Sequence, residues 1–255
     1  MATSPAEKDP TLEGRKEGAW REIAAIDAAF ERGEIDTDGW HRAMMDLIVP
    51  AYLAAENPRA QSGHGGDEKR WEQARRPIVR AIDRSGTFLD VGCASGLLME
   101  SVRTWAAQDG FDIEPCGLDI SPELAQLARD RLPYWSDRIL VGNAADWTAD
   151  RRFDFVRTCV SYVPKPHRPE LTRHLLHNVA APDGRLIIGV YNEEVERRYR
   201  EEEVASWGFR IAGHHEVPHP DDNRLVRRVF WIDAPQRSTA GSRGESATAR
   251  RRRGL

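Results

Sequence analysis

One segment narrows the folds open to this chain more than any other: FLDVGCASG, residues 88–96. A short apolar strand over 87–91 runs into a tight turn of small residues, and a helix then extends to about residue 107. Small side chains let a ligand approach the backbone, and the first turn of a helix offers free N–H donors. The spacing of Gly92, Ala94 and Gly96 departs from the G-x-G-x-x-G of a dinucleotide turn. Asp90, just before the turn, would repel a pyrophosphate and welcome a cation.

Beyond residue 107 the chain alternates between strands and helices. Strands are expected over 112–118, 138–141, 153–157 and 185–190, with helices opening at Ser121-Pro122 and spanning 169–180 and 193–207. Two last strands, 209–217 and 224–232, are joined by PHPDDN with no helix between them. Such alternation implies a parallel sheet covered on both faces, closed by an antiparallel hairpin. The first 85 residues read differently, as helices. Trp20, Ile23, Ile26 and Phe30 recur at helical spacing over 19–30. Asp36 or Thr37 can cap a second helix that carries Trp40, Met44 and Ile48 and should stop near Pro50. Asp67 can cap a third, running through Ile82, after the glycine-rich loop QSGHGGDEKRW. The chain thus divides into three units: 1–85 as a helical cap with a loop, 86–234 as an α/β domain, and 235–255 as a disordered basic tail.

Composition excludes several classes. Three cysteines, Cys93, Cys116 and Cys159, without CxxC spacing, rule out a disulfide framework and a cysteine-based zinc site and suit a reducing cytoplasm. Neighbouring His214 and His215 point to opposite faces of a strand, and His174 and His177 lack a partner carboxylate motif, so no metal site is expected. No apolar run approaches the ~20 residues of a membrane span, and residues 1–18 lack the apolar stretch of a secretory signal. A cytoplasmic location is therefore expected. Residues 236–255 hold six arginines against Glu245, while the whole chain has a formal net charge of −4, so the body is acidic. An acidic body is a poor match for nucleic acid, and the oligomeric state is not readable.

In its motifs the chain resembles the class I S-adenosylmethionine-dependent methyltransferases. FLDVGCASG matches their first motif, with Ala94 in place of the middle glycine; GLDIS, GNA at 142–144, FDFVRT and APDGRLIIGV come after it in the family's order. The resemblance covers roughly 87–190, and the closing hairpin extends it to about 233. It implies a doubly wound, mostly parallel seven-stranded α/β sheet with a C-terminal antiparallel hairpin and a helical N-terminal cap. It also implies S-adenosyl-L-methionine as cofactor. Asp119 would then accept both ribose hydroxyls, Ile120 would pack on the adenine, and Asn143 and Ala144 would meet the adenine edge. Gly92, Cys93, Ala94 and Gly96 would form the backbone cradle, with Asp90 and Thr158 toward the methionine half. Gly63–Asp67 is a candidate lid in this fold class. Tyr162, His167 and Tyr191 lie at the expected carboxyl ends of strands, where ligands sit in open sheets. His64, Tyr162 and His167 are the candidate general bases.

The acceptor is expected to be a small molecule, because the chain has no Asn-Pro-Pro-Tyr segment and no attached RNA-binding module. RNA or protein methylation through the arginine tail, and cofactor sensing without turnover, are the alternatives.

Overall fold

The computed structural model describes residues 10–236, with side chains from Gly18 onward. The expected tail, apart from Pro235 and Gln236, lies outside the described residues. Three helices come first: α1 (Pro10–Glu31), α2 (Thr37–Leu53) and α3 (Glu68–Arg75). Then come β1 (Gly86–Val91), α4 (Leu97–Gln108), β2 (Ile113–Asp119), α5 (Pro122–Arg131), β3 (Ile139–Val141) and β4 (Phe153–Thr158). The last elements are α6 (Arg168–His174), β5 (Ala180–Glu194), α7 (Tyr199–Ser206), β6 (Gly213–Pro218) and β7 (Leu225–Asp233).

All seven strands join one sheet in the order β3-β2-β1-β4-β5-β7-β6. The first five run parallel; β7 lies antiparallel to both β5 and β6. The central strands are apolar on both sides because both sides are covered. Phe88, Phe155, Ile187 and Val229 pack with Ile78, Leu98 and Val102 on one face. Leu89, Val156, Leu186 and Phe230 pack with Leu171, Leu175 and Val204 on the other. Strand order reverses between β1 and β4, so the carboxyl ends of β1, β2 and β4 diverge there and leave a crevice.

Several element boundaries differ from expectation. Asp36 is the cap of α2, its carboxylate accepting from Gly39 N at 2.8 Å. The helix runs past Pro50 to Leu53, which leaves the proline inside its last turn. The third helix breaks at Arg75 instead of reaching Ile82; a 3-10 turn, Arg76–Ala81, replaces it where Pro77 removes a backbone donor. The expected helix over 169–180 ends at His174, and a wider turn, Leu175–Val179, completes it. Helix 193–207 shrinks to Tyr199–Ser206 because β5 continues to Glu194. Glu193 stays in the strand, where its carboxylate is buried against the Arg228 guanidinium at 2.7 Å. Among the described residues no helix is long and apolar enough to cross a membrane.

Candidate functional site

The turn after β1 is a chain of left-handed residues. Gly92, Ala94 and Gly96 have φ of 74°, 46° and 71°. A Cβ on Gly92 would lie 2.7 Å from the Tyr162 ring, so the tyrosine fits only against a glycine. Ala94 takes a conformation that costs an L-residue roughly 1–2 kcal/mol, and it is held there from the next strand. Asp119 accepts from Ala94 N through Oδ2 at 2.8 Å and from Ser121 N through Oδ1 at 2.9 Å. Ser121, not Asp119, caps α5, its hydroxyl accepting from Leu124 N at 3.2 Å. Burial raises the Asp119 pKa, and the backbone N–H groups of Ser121 and Ala94 oppose the rise. Each carboxylate oxygen keeps a lone pair after these bonds.

After β3, Gly142 N donates to Asp119 O at 2.9 Å and brings Asn143 and Ala144 beside β2. The Asn143 Oδ1 accepts from Ala145 N at 3.1 Å, so one of its two lone pairs is already used; Nδ2 points at His41 Nδ1 at 3.5 Å. Near the end of β4, Arg157 ties four groups together. Its Nε donates to Gly189 O at 2.9 Å, its Nη1 to Asp90 Oδ1 at 3.2 Å and to the Tyr162 hydroxyl at 3.3 Å, and its Nη2 to Cys159 Sγ at 3.2 Å. Asp90 is buried, which pushes its pKa up to about 6 against the pull of Arg157. The residue pattern alone assigns Asp90 to a cationic ligand; the fold gives it a cation of its own. Burial raises the Tyr162 hydroxyl well above its ordinary range, so it keeps its proton.

These groups floor a cavity of about 330 Å³ whose roof is α2, the loop after it and α3. Trp40, Met44, Met45 and Ile48 come from α2, Gly63 from the loop, and Trp71 and Arg75 from α3. Hydrogen bonds join roof and floor. The Ser62 and Ser95 hydroxyls lie 2.8 Å apart, and His41 Nε2 lies 3.2 Å from Tyr162 O. A carbonyl only accepts, so Nε2 carries the proton and Nδ1 is left as the acceptor facing Asn143. Burial lowers the His41 pKa and keeps the ring neutral.

Of the residues singled out in the sequence, Gly63, Asp90, Gly92, Cys93, Ala94, Asp119, Ile120, Asn143, Ala144 and Tyr162 line this cavity. Five others, Gly96, Thr158, His64, His167 and Tyr191, stand apart from its walls. Gly96 turns toward Leu132, and Thr158 is buried with its hydroxyl on Cys159 O at 3.3 Å. His64 packs edge-on against Trp71. His167 meets Thr37 Oγ1 at 3.3 Å and the Phe30 ring, at the seam with the N-terminal helices. Tyr191 is a brace: its hydroxyl accepts from Val160 N at 2.9 Å. Sequence reasoning misses Arg157, Arg75 and Trp71; it expects N-terminal helices over the acceptor pocket but not which α2 side chains line it. Arg157 does carry a signal, a cation at the carboxyl end of an otherwise apolar FVRT run.

A strand-end cradle of this kind, with an acid on the second strand, has counterparts among known proteins. A family model described as a methyltransferase domain matches residues 66–225, and the chain belongs to that family, the class I S-adenosylmethionine-dependent methyltransferases. It is an enzyme that uses S-adenosylmethionine. No curated protein sequence matches significantly. Among solved structures, the chain is similar to a 1,6-didemethyltoxoflavin-N1-methyltransferase from Burkholderia thailandensis. The identity is 16% and the TM-score 0.55, over 79% of this chain and 92% of that one. It is also similar to the [4+2]-cyclase SpnF, at 17% identity and TM-score 0.51, over 76% and 94% of the two chains. The N-methyltransferase NodS from Bradyrhizobium japonicum WM9 matches at 13% identity and TM-score 0.50, over 67% and 99%. These likenesses speak to the fold.

Proposed function

We propose that this methyltransferase acts on a small molecule bound under the α2–α3 roof, with the cofactor lying across the carboxyl edge of β1, β2 and β4. The observation that carries the reading is the roof itself. Met44, Met45, Ile48 and Trp71 face the cavity across from Asp119 and Tyr162, which makes a chamber rather than a groove open to a polymer. The Burkholderia neighbour, described with bound 1,6-didemethyltoxoflavin and S-adenosylhomocysteine, is a precedent for such an acceptor in this fold.

The residues present fit the cofactor. The free lone pairs of Asp119 match two vicinal ribose hydroxyls, Ile120 offers an apolar face to the adenine, and Asn143 and Ala144 meet its edge. Gly92, Cys93 and Ala94 line the cavity, and their small side chains leave the turn's backbone open to a ligand from the cavity side. Asp90, held by Arg157, stands toward the methionine half. When bound, the cofactor supplies an electrophilic methyl on a sulfonium. The chain's own work is to hold the acceptor's nucleophile in line with that methyl, and good orientation is worth up to ~7–11 kcal/mol. Tyr162 orients as a hydrogen-bond donor. Residues 1–85 are, in this reading, the cap that shapes the acceptor side, and Gly63 belongs to a loop that closes it.

Production of S-adenosylhomocysteine from a panel of small apolar acceptors, RNA and proteins tests the proposal. Turnover on small molecules, retained after truncation behind Pro235, is expected. Turnover on RNA or protein alone, lost with the arginine-rich residues, would replace it with the polymer reading.

A further inference from the structure

Two adjacent arginines of β7 face opposite sides of the sheet and differ in one respect. Arg228, 1% exposed, donates to Glu216 at 2.6 Å and to Glu193 at 2.7 Å. Arg227, 4% exposed, has no ion pair among the described residues, and its Nη1 is buried without a hydrogen-bond partner. A guanidinium taken out of water without a counter-charge is strongly unfavourable. The acid near it, Asp221, is bonded to Arg70.

A second orphaned atom belongs to a neighbour of Arg227. His64 Nε2 is buried and unpaired, and its imidazole pKa is pushed down to about 4, by burial first and then by Arg75, Arg227 and Arg70. Arg131, Arg168 and Glu201 also leave a buried polar atom unpaired, but each of them joins an ion pair through another atom. The seam between the Gly63–Asp67 loop and the β6–β7 turn is tied by the Arg70–Asp221 ion pair, and His64 packs on Trp71, next to Arg70 in the chain.

We propose that Arg227 and His64 form an oxyanion site, taking a phosphate or carboxylate group in this seam. The guanidinium supplies the charge and several donors in a planar fork, and His64 Nε2, protonated when the anion binds, supplies another donor. Gly63, one residue from His64, lines the cavity, so an anion held here fastens the cavity's loop to β7. The anion is either free or carried by the methyl acceptor. The second source rests on the methyl-transfer reading; the first does not.

Thermal unfolding of the full chain in inorganic phosphate and in chloride, at equal ionic strength, tests the site itself. Phosphate is expected to raise the wild-type Tm by about 2–4 °C over chloride, the shift for roughly one kcal/mol in a domain of this size. Arg227→Met should raise the Tm in chloride, because an unpaired buried charge is gone, and should abolish the phosphate response. In proton NMR, His64 should titrate near 4 in chloride and higher in phosphate. An equal response to the two salts, a phosphate response that survives Arg227→Met, or a Tm that falls in that variant in both salts overturns the site. A second arm compares carboxylated and neutral acceptors of the same skeleton. A rate preference for the carboxylated member, erased by Arg227→Met, assigns the anion to the acceptor. A phosphate response without that preference assigns it to a free anion.

Discussion

The floor and the roof of the cavity are built by different means. On the floor, polar groups are fixed by short bonds from a few strand ends: Asp119 by Ala94 N and Ser121 N, and Asp90 by Arg157. The roof has mostly apolar side chains, of which Met44, Met45 and Ile48 are half-buried because they face the cavity, and it touches the floor through Ser62–Ser95 and His41–Tyr162. A floor of that kind can hold one ligand in one pose. A roof of this kind can be re-lined without disturbing it. In the proposed function, the cofactor's half of the chemistry falls to the strand ends and the choice of acceptor to α2 and α3.

Variants can break or sharpen this division. The largest effect is expected from Arg157→Met, which strands the buried Asp90. Removing one partner of such a pair costs about 3–5 kcal/mol, read as a lower denaturant midpoint. Asp90→Asn in the same background should recover part of the loss. If Arg157→Met unfolds no more easily than the wild type, the floor is less rigid than its bonds imply.

Asp119→Ala comes next. Each charge-assisted hydrogen bond is worth about 1.5–3 kcal/mol, so S-adenosylhomocysteine binding should weaken roughly 10- to 1,000-fold in calorimetry. Asp119→Asn, with one acceptor oxygen, should also lose affinity. Wild-type binding by both variants, still folded, would take the ribose away from Asp119.

On the roof, Met44→Ala combined with Met45→Ala should raise the acceptor KM by about tenfold, equivalent to roughly 1.4 kcal/mol of lost contact. Cofactor affinity should stay within about twofold. An equal loss in both would mean that α2 serves the cofactor as much as the acceptor. The smallest effect is expected from Ala94→Gly. Glycine relieves the left-handed strain but gives up ~0.5–1 kcal/mol of backbone entropy, so stability should change by less than about 1 kcal/mol, with cofactor affinity unchanged.

The same division explains how much of the molecule is legible in its residues. FLDVGCASG, GLDIS and GNA are local signals: a strand, a turn and a helix start within a few positions, and the structure brings their side chains to one edge. The α2 wall is a tertiary fact. Trp40, Met44 and Ile48 recur as any core-facing stripe would, and nothing in that spacing says that the opposite surface is a cavity. His64 and His167 attract notice by residue type alone. Where each one sits is set by Trp71 and by Phe30 with Thr37, partners distant from the motifs. The long β5 is hidden in the sequence because the Arg228 that keeps Glu193 in the strand lies 35 positions later.

The reversal at β7 has a practical consequence for handling the enzyme. Asp233 pairs with Arg185 at the start of β5, and Ala234 N donates to Gly184 O at 2.8 Å. The chain therefore leaves the sheet at the edge where the parallel strands begin, while the cavity opens at the edge where they end. A bead, a dye or a carrier protein coupled behind Gln236 would meet the molecule from its rear, leaving the mouth of the acceptor chamber turned toward the solution.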